Sequence, residues 1–176
     1  MIRCYVTDRN QVDVLEAARR AIEDGIDMIQ IREKNLDTTY LLNLVRSVAK
    51  LADGSKTQIL VNDRLDVALT AAISGVHLPA NGLPASEVRP LVDLLGVSTH
   101  TLQEAVHAER AGANFIVFGP VFGTPGKKPV GIGRLKQACS AVSIPVLAIG
   151  GINKENTPLV MEAGASGIAA IRLFQG

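Results

Sequence analysis

The sequence predicts an α/β protein: a near-minimal (β/α)8 TIM barrel, with an eighth helix that is short or absent, in one domain spanning residues 1–176. Eight short apolar runs alternate strictly with amphipathic stretches, a pattern that favours a closed parallel barrel. Glycines recur where an amphipathic stretch meets the next apolar run, as helix C-caps require. Aromatic residues make up only 3% of the chain, so Val, Ile, Leu and Ala must build the core, which suits strands buried on both faces.

Each apolar run predicts a strand. The predicted strands are 3–7, 27–32, 58–62, 75–78, 95–98, 115–119, 145–150 and 167–171. The first helix is predicted from the three- and four-residue spacing of Val14, Leu15, Ala18, Ala21 and Ile22. The other predicted helices are 36–52, 65–72, 86–94, 102–111, 132–142 and 153–163. Barrels of this class usually have about 250 residues, and few residues follow the last run, so we expect little or no eighth helix.

Composition and charge argue against several classes of partner. With 18 basic and 17 acidic residues the net charge is +1, whereas nucleic-acid and membrane-surface binders need a basic face. Cys4 and Cys139 form neither a disulfide framework nor a zinc-binding spacing. The sequence shows no signal-peptide pattern and no apolar run of membrane-spanning length. We therefore expect a cytoplasmic protein whose partners are small molecules, with no nucleic acid and no membrane among them.

Polar side chains occupy one face of the second predicted strand. Side chains alternate along a strand, so Gln30, Arg32 and Lys34 share one face while Ile29 and Ile31 share the other. If the isoleucines pack under the helices, the glutamine and both cations point into the mouth of the barrel. Unpaired cations are costly to bury, so an anionic ligand is expected there. The alternative is a solvent-facing strand with an ordinary polar face, which a parallel barrel does not offer.

The third, fourth and fifth strands carry further candidates. Asp63 is a candidate ligand for Mg2+, which prefers carboxylate and phosphate oxygens, although Asn62 or Asp63 here is also typical of a helix cap. Ser98 is placed to hydrogen-bond a ligand in the mouth. His100 is either an acid–base group or a structural loop residue, and His77 is interpreted as a core imidazole with its hydrogen bonds satisfied.

Glycine-rich segments follow the sixth and seventh strands. The loop 119–129, which contains Lys127, can wrap an anionic substrate with backbone amides, a hydroxyl and a lysine, or it is a flexible surface loop. Gly150 and Gly151 let backbone amides approach a phosphate at the end where barrels of this fold commonly bind one, or they form a simple tight turn. Arg172, after the eighth strand, adds a charge-assisted contact.

These residues define two anion-binding regions on one rim of the barrel. We call the first the diphosphate region; it comprises Arg32, Lys34, Asn62, Asp63 and Lys127. We call the second the phosphate region; it comprises Gly150, Gly151 and Arg172. The sequence shows no catalytic pair of carboxylates, no Ser–His–Asp order and no activated cysteine, so positioning and electrostatics are the chemistry that such a site offers.

A series of motifs resembles the thiamine phosphate synthases and the related TenI-type thiazole tautomerases. The motifs cover essentially the whole chain, in order and at compatible spacing, and are Gln30-Ile31-Arg32-Glu33-Lys34, Val61-Asn62-Asp63, Gly75-Val76-His77-Leu78, Gly96-Val97-Ser98-Thr99-His100, Phe118-Gly119-Pro120-Val121-Phe122, Thr124 through Lys127 and Ala148-Ile149-Gly150-Gly151-Ile152.

The resemblance implies a transferase that joins hydroxymethylpyrimidine diphosphate to a thiazole phosphate with Mg2+, giving thiamine phosphate and pyrophosphate. It assigns the pyrimidine diphosphate to Gln30, Arg32, Lys34 and Asn62. It assigns Mg2+ to Asp63 and the departing pyrophosphate to Ser98 and Lys127. It assigns the thiazole phosphate to Thr124, Gly151, Ile171 and Arg172. The residues expected to be catalytic are Arg32, Lys34, Ser98 and Lys127.

The sequence also departs from the pattern of each branch of this superfamily. Synthases carry a second Mg2+-binding Asp after strand four, where this chain has Pro79-Ala80-Asn81-Gly82. Gly126 replaces a hydroxyl residue of the synthase loop, and Arg172 replaces a serine. Tautomerases have histidines where this chain has Gln30 and Pro120. We rank the synthase first, the tautomerase second and a non-catalytic phosphate-binding relative third. Because a missing eighth helix would leave apolar strand surface uncovered, self-association into a homo-oligomer is also expected.

Overall fold

The computed structural model describes residues 1–175 and contains eight parallel strands that close into a barrel in sequence order. The strands are β1 Ile2–Val6, β2 Met28–Ile31, β3 Gln58–Asn62, β4 Gly75–Leu78, β5 Leu94–Thr99, β6 Phe115–Phe118, β7 Val146–Ile149 and β8 Gly167–Ala170. The helices are α1 Val14–Glu23, α2 Thr38–Ala52, α3 Leu65–Thr70, α4 Ala85–Val88, α5 Leu102–Arg110, α6 Ile132–Ala141 and α7 Thr157–Glu162. The predicted fold class is therefore confirmed.

Alternation along the strands divides the apolar side chains into two cores. The inner core fills the barrel and consists of Cys4, Val6, Met28, Leu60, Phe115, Val117, Leu147 and Ala169. The outer core lies between the strands and the helices, and it includes Ile29 and Ile31 of β2 together with helix residues such as Val45 and Leu135. Because every strand is buried on both faces, a polar residue on an inward position lies inside the barrel.

Short polar side chains determine where the first two helices begin. Asp13 accepts a hydrogen bond from the backbone N–H of Glu16 at 2.9 Å, and Asp37 accepts one from Tyr40 at 3.1 Å. Each carboxylate satisfies a donor that would otherwise be free in the first turn. Both helices therefore start at the carboxyl end of the preceding strand, beside the barrel mouth.

Two helices are much shorter than the sequence predicts, while the others differ from their predicted ranges by one or two residues. The fourth was predicted over 86–94, but α4 ends at Val88 and continues as a 3-10 turn, Arg89–Leu91. Pro90 lacks the N–H that an α-helix needs, so the helix cannot continue through it. The seventh was predicted over 153–163, but α7 starts at Thr157, after a turn in which Asn153 and Asn156 accept each other's backbone N–H groups at 2.8 and 2.9 Å as in a capping box.

A 3-10 turn, Arg172–Phe174, occupies the place expected for the eighth helix. Leu173 and Phe174 pack against the outer core, and Ile168 and Ala170 of β8 are only 1% and 7% exposed. The expectation that a missing helix leaves strand surface uncovered is therefore wrong, since this turn and the flanking helices close over β8. No helix in residues 1–175 is long and apolar enough to span a membrane.

Candidate active site

Gln30 lies inside the barrel. It is 4% exposed and pairs in register with Val6 and Leu60, which both belong to the inner core. Ile29 and Ile31, on either side of it, belong to the outer core. The predicted orientation of the second strand is therefore confirmed, and the face that carries Gln30 continues into the barrel mouth.

Arg32 and Lys34 follow Gln30 where β2 ends. Arg32 is half-buried, and its charge helps to lower the pKa of His77, which pairs with Asn62 of β3 in the barrel wall. This electrostatic effect requires the guanidinium to lie near the mouth. Lys34 is exposed and lines a cavity on the α2 side of the strand end, whose wall includes Ile31 and Leu41 of the outer core and does not include Arg32. Neither cation forms a salt bridge with any residue in the described part of the chain.

His77 and Ser98 form a hydrogen-bonded pair inside the mouth. Nε2 of His77 lies 2.8 Å from Oγ of Ser98. His77 is 2% exposed, and burial, followed by the charge of Arg32, lowers the pKa of the imidazole to about 3, so the ring is neutral at pH 7. A Cβ on Gly96 would lie 2.8 Å from Nδ1 of this ring, so the glycine provides its space.

The interpretation of His77 as a satisfied core imidazole is thus only half correct. The residue is buried, but its Nδ1 has no hydrogen-bond partner among the atoms of residues 1–175, and its Nε2 serves a candidate site residue. The available signal was alternation, because Val76 and Leu78 both belong to the outer core and so direct His77 inward.

Asp63 borders a cavity of about 270 Å3 at the carboxyl ends of β2 and β3. The same cavity is lined by Lys34, Asn62 and Arg64. Asp63 has a φ of 63°, a left-handed backbone that side chains rarely adopt, and its N–H donates to the carbonyl of His77 at 2.9 Å. The N-cap of α3 is Arg64, with no side-chain cap bond found in the described structure, so the capping alternative is wrong.

Gly150 and Gly151 form a platform directly under the loop after β6. Their φ angles are 97° and 63°. A Cβ on Gly151 would lie 2.8 Å from Cβ of Phe122 and 3.0 Å from the carbonyl oxygen of Gly123. The N–H of Phe122 donates to the carbonyl of Gly150 at 3.0 Å. A simple tight turn does not require this close approach, whereas a loop that must lie against the rim does.

Thr124 and Lys127 stand at the tip of that loop. They form an antiparallel bridge in which the N–H of Lys127 donates to the carbonyl of Thr124 at 3.1 Å. Thr124 is half-buried and Lys127 is exposed, without a salt bridge to any residue that the structure describes. The bridge gives the tip a defined shape, so the loop is more than a solvated connection.

Arg172 and Ile171 follow β8, which lies between β7 and β1 in the barrel. Nε of Arg172 donates to Oε1 of Gln11 at 3.2 Å, which ties the end of the chain to the loop after β1. Ile171 is half-buried and packs against the inner core. Arg172 is exposed, so its guanidinium keeps donors free for a ligand.

His100 has a structural role in the loop after β5. Its Nδ1 hydrogen-bonds the carbonyl of Gly119, and its backbone N–H donates to the carboxylate of Glu104 at 2.6 Å. Both contacts fasten the start of α5 to the end of β6. The structural alternative for His100 is therefore favoured over the acid–base alternative.

Comparison of the amino-acid sequence with known protein families identifies the family of this chain. The family model described as Thiamine monophosphate synthase matches residues 4–174. The chain belongs to the thiamine monophosphate synthase family. A relative from Geobacter sulfurreducens, named putative thiamine-phosphate synthase, is 42% identical over 176 residues, which cover 94% of this chain and 83% of the relative. A thiamine-phosphate synthase from Methanocella arvoryzae is 45% identical over 163 residues, covering 89% and 77% of the two chains.

Solved structures agree with this membership in the thiamine monophosphate synthase family. Thiamine phosphate pyrophosphorylase from Pyrococcus furiosus superposes with a TM-score of 0.90 at 35% identity, covering 97% of this chain and 85% of that one. A 3-hexulose-6-phosphate synthase superposes with a TM-score of 0.68 at 17% identity, covering 96% and 88%, and supports the fold alone.

The family implies a bound Mg2+ ion, and the side chains at the cavity can provide only part of its coordination shell. Within residues 1–175, no three His, Cys, Asp or Glu side chains gather as a metal cluster. Asp63 supplies one carboxylate and Asn62 one amide oxygen, both at the cavity wall. Mg2+ is commonly held by one or two carboxylates together with substrate phosphates and waters. The donor set therefore fits an ion shared with a diphosphate and does not fit an all-protein cage.

Proposed function

We propose that this chain is a thiamine phosphate synthase, a transferase that joins hydroxymethylpyrimidine diphosphate to a thiazole phosphate. One observation carries the proposal: the cations of the diphosphate region form no salt bridge within the described residues, and they share a rim with the glycine platform of the phosphate region. A mouth with two such regions suits one diphosphate and one phosphate ligand. The names of the relatives support the same reaction.

Arg32, Lys34 and Lys127 would act on the departing pyrophosphate. In the proposed reaction, the C–O bond between the pyrimidine methylene and the diphosphate breaks, and its electron pair leaves with pyrophosphate. The lone pair of the thiazole nitrogen then forms the new C–N bond to the pyrimidine methyl cation. Cations that are already in place stabilise the charge that accumulates on the leaving oxygen without reorganising.

Ser98 and Asp63 would complete the diphosphate region. The hydroxyl of Ser98 is fixed by the neutral imidazole of His77, so it is oriented before a ligand binds. Asp63 and Asn62 would hold Mg2+, which supplies further positive charge at the leaving group when it is bound. Gln30, buried on the same inward face, would hydrogen-bond the pyrimidine diphosphate.

The phosphate region would hold the thiazole phosphate. Gly150 and Gly151 allow backbone amides to approach a phosphate, and Arg172 adds charge from the end of the neighbouring strand β8. Thr124, at the tip of the loop, would donate a hydroxyl, and Ile171 would line the base of this region. The positive φ of both glycines supports a backbone shaped for close approach.

A neutral histidine weighs against the tautomerase alternative. A tautomerase moves protons, and its acid–base group needs a pKa near the working pH. The pKa of His77 is about 3, far below that range. His100 is held by the carbonyl of Gly119, and Pro120 stands where tautomerases have a histidine.

The proposal also takes the enzyme to be cytoplasmic, which the free thiols of Cys4 and Cys139 support.

The two-substrate assay tests the function directly. The purified chain is incubated with hydroxymethylpyrimidine diphosphate, thiazole phosphate and Mg2+, and thiamine phosphate is measured by chromatography. We expect thiamine phosphate and pyrophosphate in equal amounts, and no product without Mg2+. Isomerisation of carboxythiazole phosphate without any thiamine phosphate would move the assignment to the tautomerase. Calorimetric binding of both substrates without turnover would favour the non-catalytic relative.

A further inference from the structure

Glu33 is a buried carboxylate between the two cations of β2, and the proposed reaction does not use it. Its side chain is 3% exposed. Oε1 accepts the hydroxyl of Thr7 at 2.6 Å, and the N–H of Arg9 lies 3.2 Å from both carboxylate oxygens. Nε of Arg9 is 3.9 Å from Oε2. A negative charge beside an anion-binding mouth disfavours the ligand, so its presence there needs a structural reason.

Thr7 connects this carboxylate to Arg32. The side chain of Thr7 is fully buried, and its Oγ1 accepts the backbone N–H of Arg32 at 3.0 Å. The ladder of β2 ends at Ile31, so a side-chain hydroxyl takes the place of a strand partner for Arg32. A hydroxyl has one proton, and here it is donated to Glu33, which leaves the oxygen lone pairs directed at Arg32. Without the carboxylate, that hydroxyl would be free to rotate.

We propose that Glu33 is a positioning residue for the diphosphate region. Through Thr7 it fixes the backbone of Arg32, and hence the direction in which Arg32 and Lys34 leave the strand. Through Arg9 it holds the loop after β1 beside them. This inference rests on the proposed function in one respect, namely that the ligand of the region is a diphosphate.

The loop after β1 is tied to the end of the neighbouring strand β8 by separate contacts. Gln11 accepts from Arg172 and donates to the carboxylate of Asp8. The Glu33 contacts and the Gln11 contacts share no atom. Loosening the Glu33 end should therefore affect the diphosphate region and leave the phosphate region largely intact.

The test uses the variants Thr7→Val, Thr7→Ser and Glu33→Gln. Binding of inorganic pyrophosphate with Mg2+ is measured by calorimetry, and KM is measured for both substrates. We expect Thr7→Val and Glu33→Gln to weaken pyrophosphate binding about fivefold to tenfold, as loss of one buried hydrogen bond implies. Thr7→Val removes the hydroxyl, whereas Glu33→Gln replaces one acceptor oxygen with an NH2 group, so a single oxygen must serve both Thr7 and the N–H of Arg9. KM for the pyrimidine diphosphate should rise by the same factor, and KM for the thiazole phosphate should change by less than about twofold. Thr7→Ser keeps the hydroxyl and should bind like the wild type.

Asp13→Ala is the matched control. It removes the cap of α1 on the same loop, but Asp13 makes no hydrogen bond to Glu33 or Thr7 in the described structure. Equal losses of pyrophosphate binding in Asp13→Ala and Glu33→Gln would overturn the inference, because general loosening of the loop would then explain both. Unchanged binding in Glu33→Gln would also overturn it. If Thr7→Val does not fold, the comparison of pyrophosphate binding between Glu33→Gln and Asp13→Ala still tests the inference.

The same measurements separate this inference from the proposed function. A wild type that makes thiamine phosphate, with variants that bind pyrophosphate normally, contradicts the role of Glu33 alone. A wild type that binds pyrophosphate without turnover, with variants that lose this binding, supports Glu33 and contradicts the synthase. A wild type that does not bind pyrophosphate contradicts both.

Discussion

The positive charge of the diphosphate region comes from a few individual side chains. The imidazole of His77 is neutral, so it orients Ser98 without adding charge. Arg32 is half-buried and close enough to His77 for its charge to help lower the pKa of that imidazole. Removing the Arg32 side chain should therefore weaken binding of the pyrimidine diphosphate far more than binding of the thiazole phosphate.

Arg32→Ala should weaken binding of the pyrimidine diphosphate by about ten- to a hundredfold, since hydrogen bonds from charged groups contribute about 1.5–3 kcal/mol. Binding of the thiazole phosphate should change by less than about twofold. Calorimetry with each substrate alone measures both values. Arg110→Ala, which removes an exposed arginine from α5, is the control and should leave both affinities unchanged. Equal weakening of the two ligands by Arg32→Ala would contradict the division into two regions.

For individual residues, the sequence predicted correctly those orientations that depend only on the two-residue alternation of side chains along a strand. The alternation of Gln30 and Arg32 with Ile29 and Ile31 predicted which face enters the barrel. It did not predict the left-handed backbone of Asp63, because Asp adopts this conformation more often than most residues but still uncommonly, and the hydrogen bond from its N–H to the carbonyl of His77 exists only in the folded barrel.

At the scale of loops and strands, close packing of backbone on backbone shapes the phosphate region. The loop after β6 lies on the glycine platform, and Phe122 and Gly123 occupy the space where Gly151 would carry a side chain. A side chain at residue 151 could not be accommodated by a small side-chain movement, because one of the atoms in its way is the backbone carbonyl oxygen of Gly123. The position of this loop is thus set by the absence of one methyl group.

Gly151→Ala should lower the stability of the protein and also weaken its binding of the thiazole phosphate. A positive φ of 63° strains an alanine by about 1 kcal/mol, and the clash must additionally displace the loop. We expect about tenfold weaker thiazole phosphate binding, with pyrimidine diphosphate binding reduced less. Calorimetry and urea unfolding measure the two effects.

Gly54→Ala is the matched control for that substitution. Gly54 also has a positive φ, 74°, but a Cβ there would meet nothing within 4 Å. It should lose a similar ~1 kcal/mol of stability and keep both affinities. If Gly54→Ala and Gly151→Ala reduced thiazole phosphate binding equally, backbone strain alone would explain the result and the platform would have no special role.

Helix boundaries at this scale were predictable only in part. Pro90 stood in the sequence as a helix breaker, and the predicted fourth helix ran through it because its apolar spacing continued on both sides. The mutual caps of Asn153 and Asn156 favour a helix that begins near residue 153, but the first turn is irregular and the regular helix begins only at Thr157. Both errors lie outside the barrel wall, so the strand order was unaffected.

For the molecule as a whole, His77 should make folding sensitive to acid. Its pKa is about 3 in the folded chain, against a usual 6.5, so the unfolded state binds the proton more readily. Stability from this group is fully present above about pH 6.5 and is lost as pH falls toward 3, by at most about 1.4 kcal/mol per pH unit.

Urea unfolding between pH 7 and pH 4 measures this dependence. His77→Asn cannot take up the proton, so it should be less stable than the wild type at pH 7 but should lose less stability on acidification. His107→Gln, which replaces an exposed imidazole on α5, should follow the wild-type curve. A His77→Asn curve parallel to that of the wild type would show that other groups cause the acid sensitivity.

The sequence by itself determined the barrel, its strand order and the end at which the polar residues collect. These properties follow from periodicity and from the chemistry of glycine and apolar residues, which act between near neighbours in the chain. Tertiary structure alone decided that His77 meets Ser98 across 21 residues, that Thr7 bridges Glu33 and Arg32, and that a 3-10 turn covers β8. Such contacts depend on the register between strands and on the path of loops, which closure of the barrel sets and no local pattern encodes.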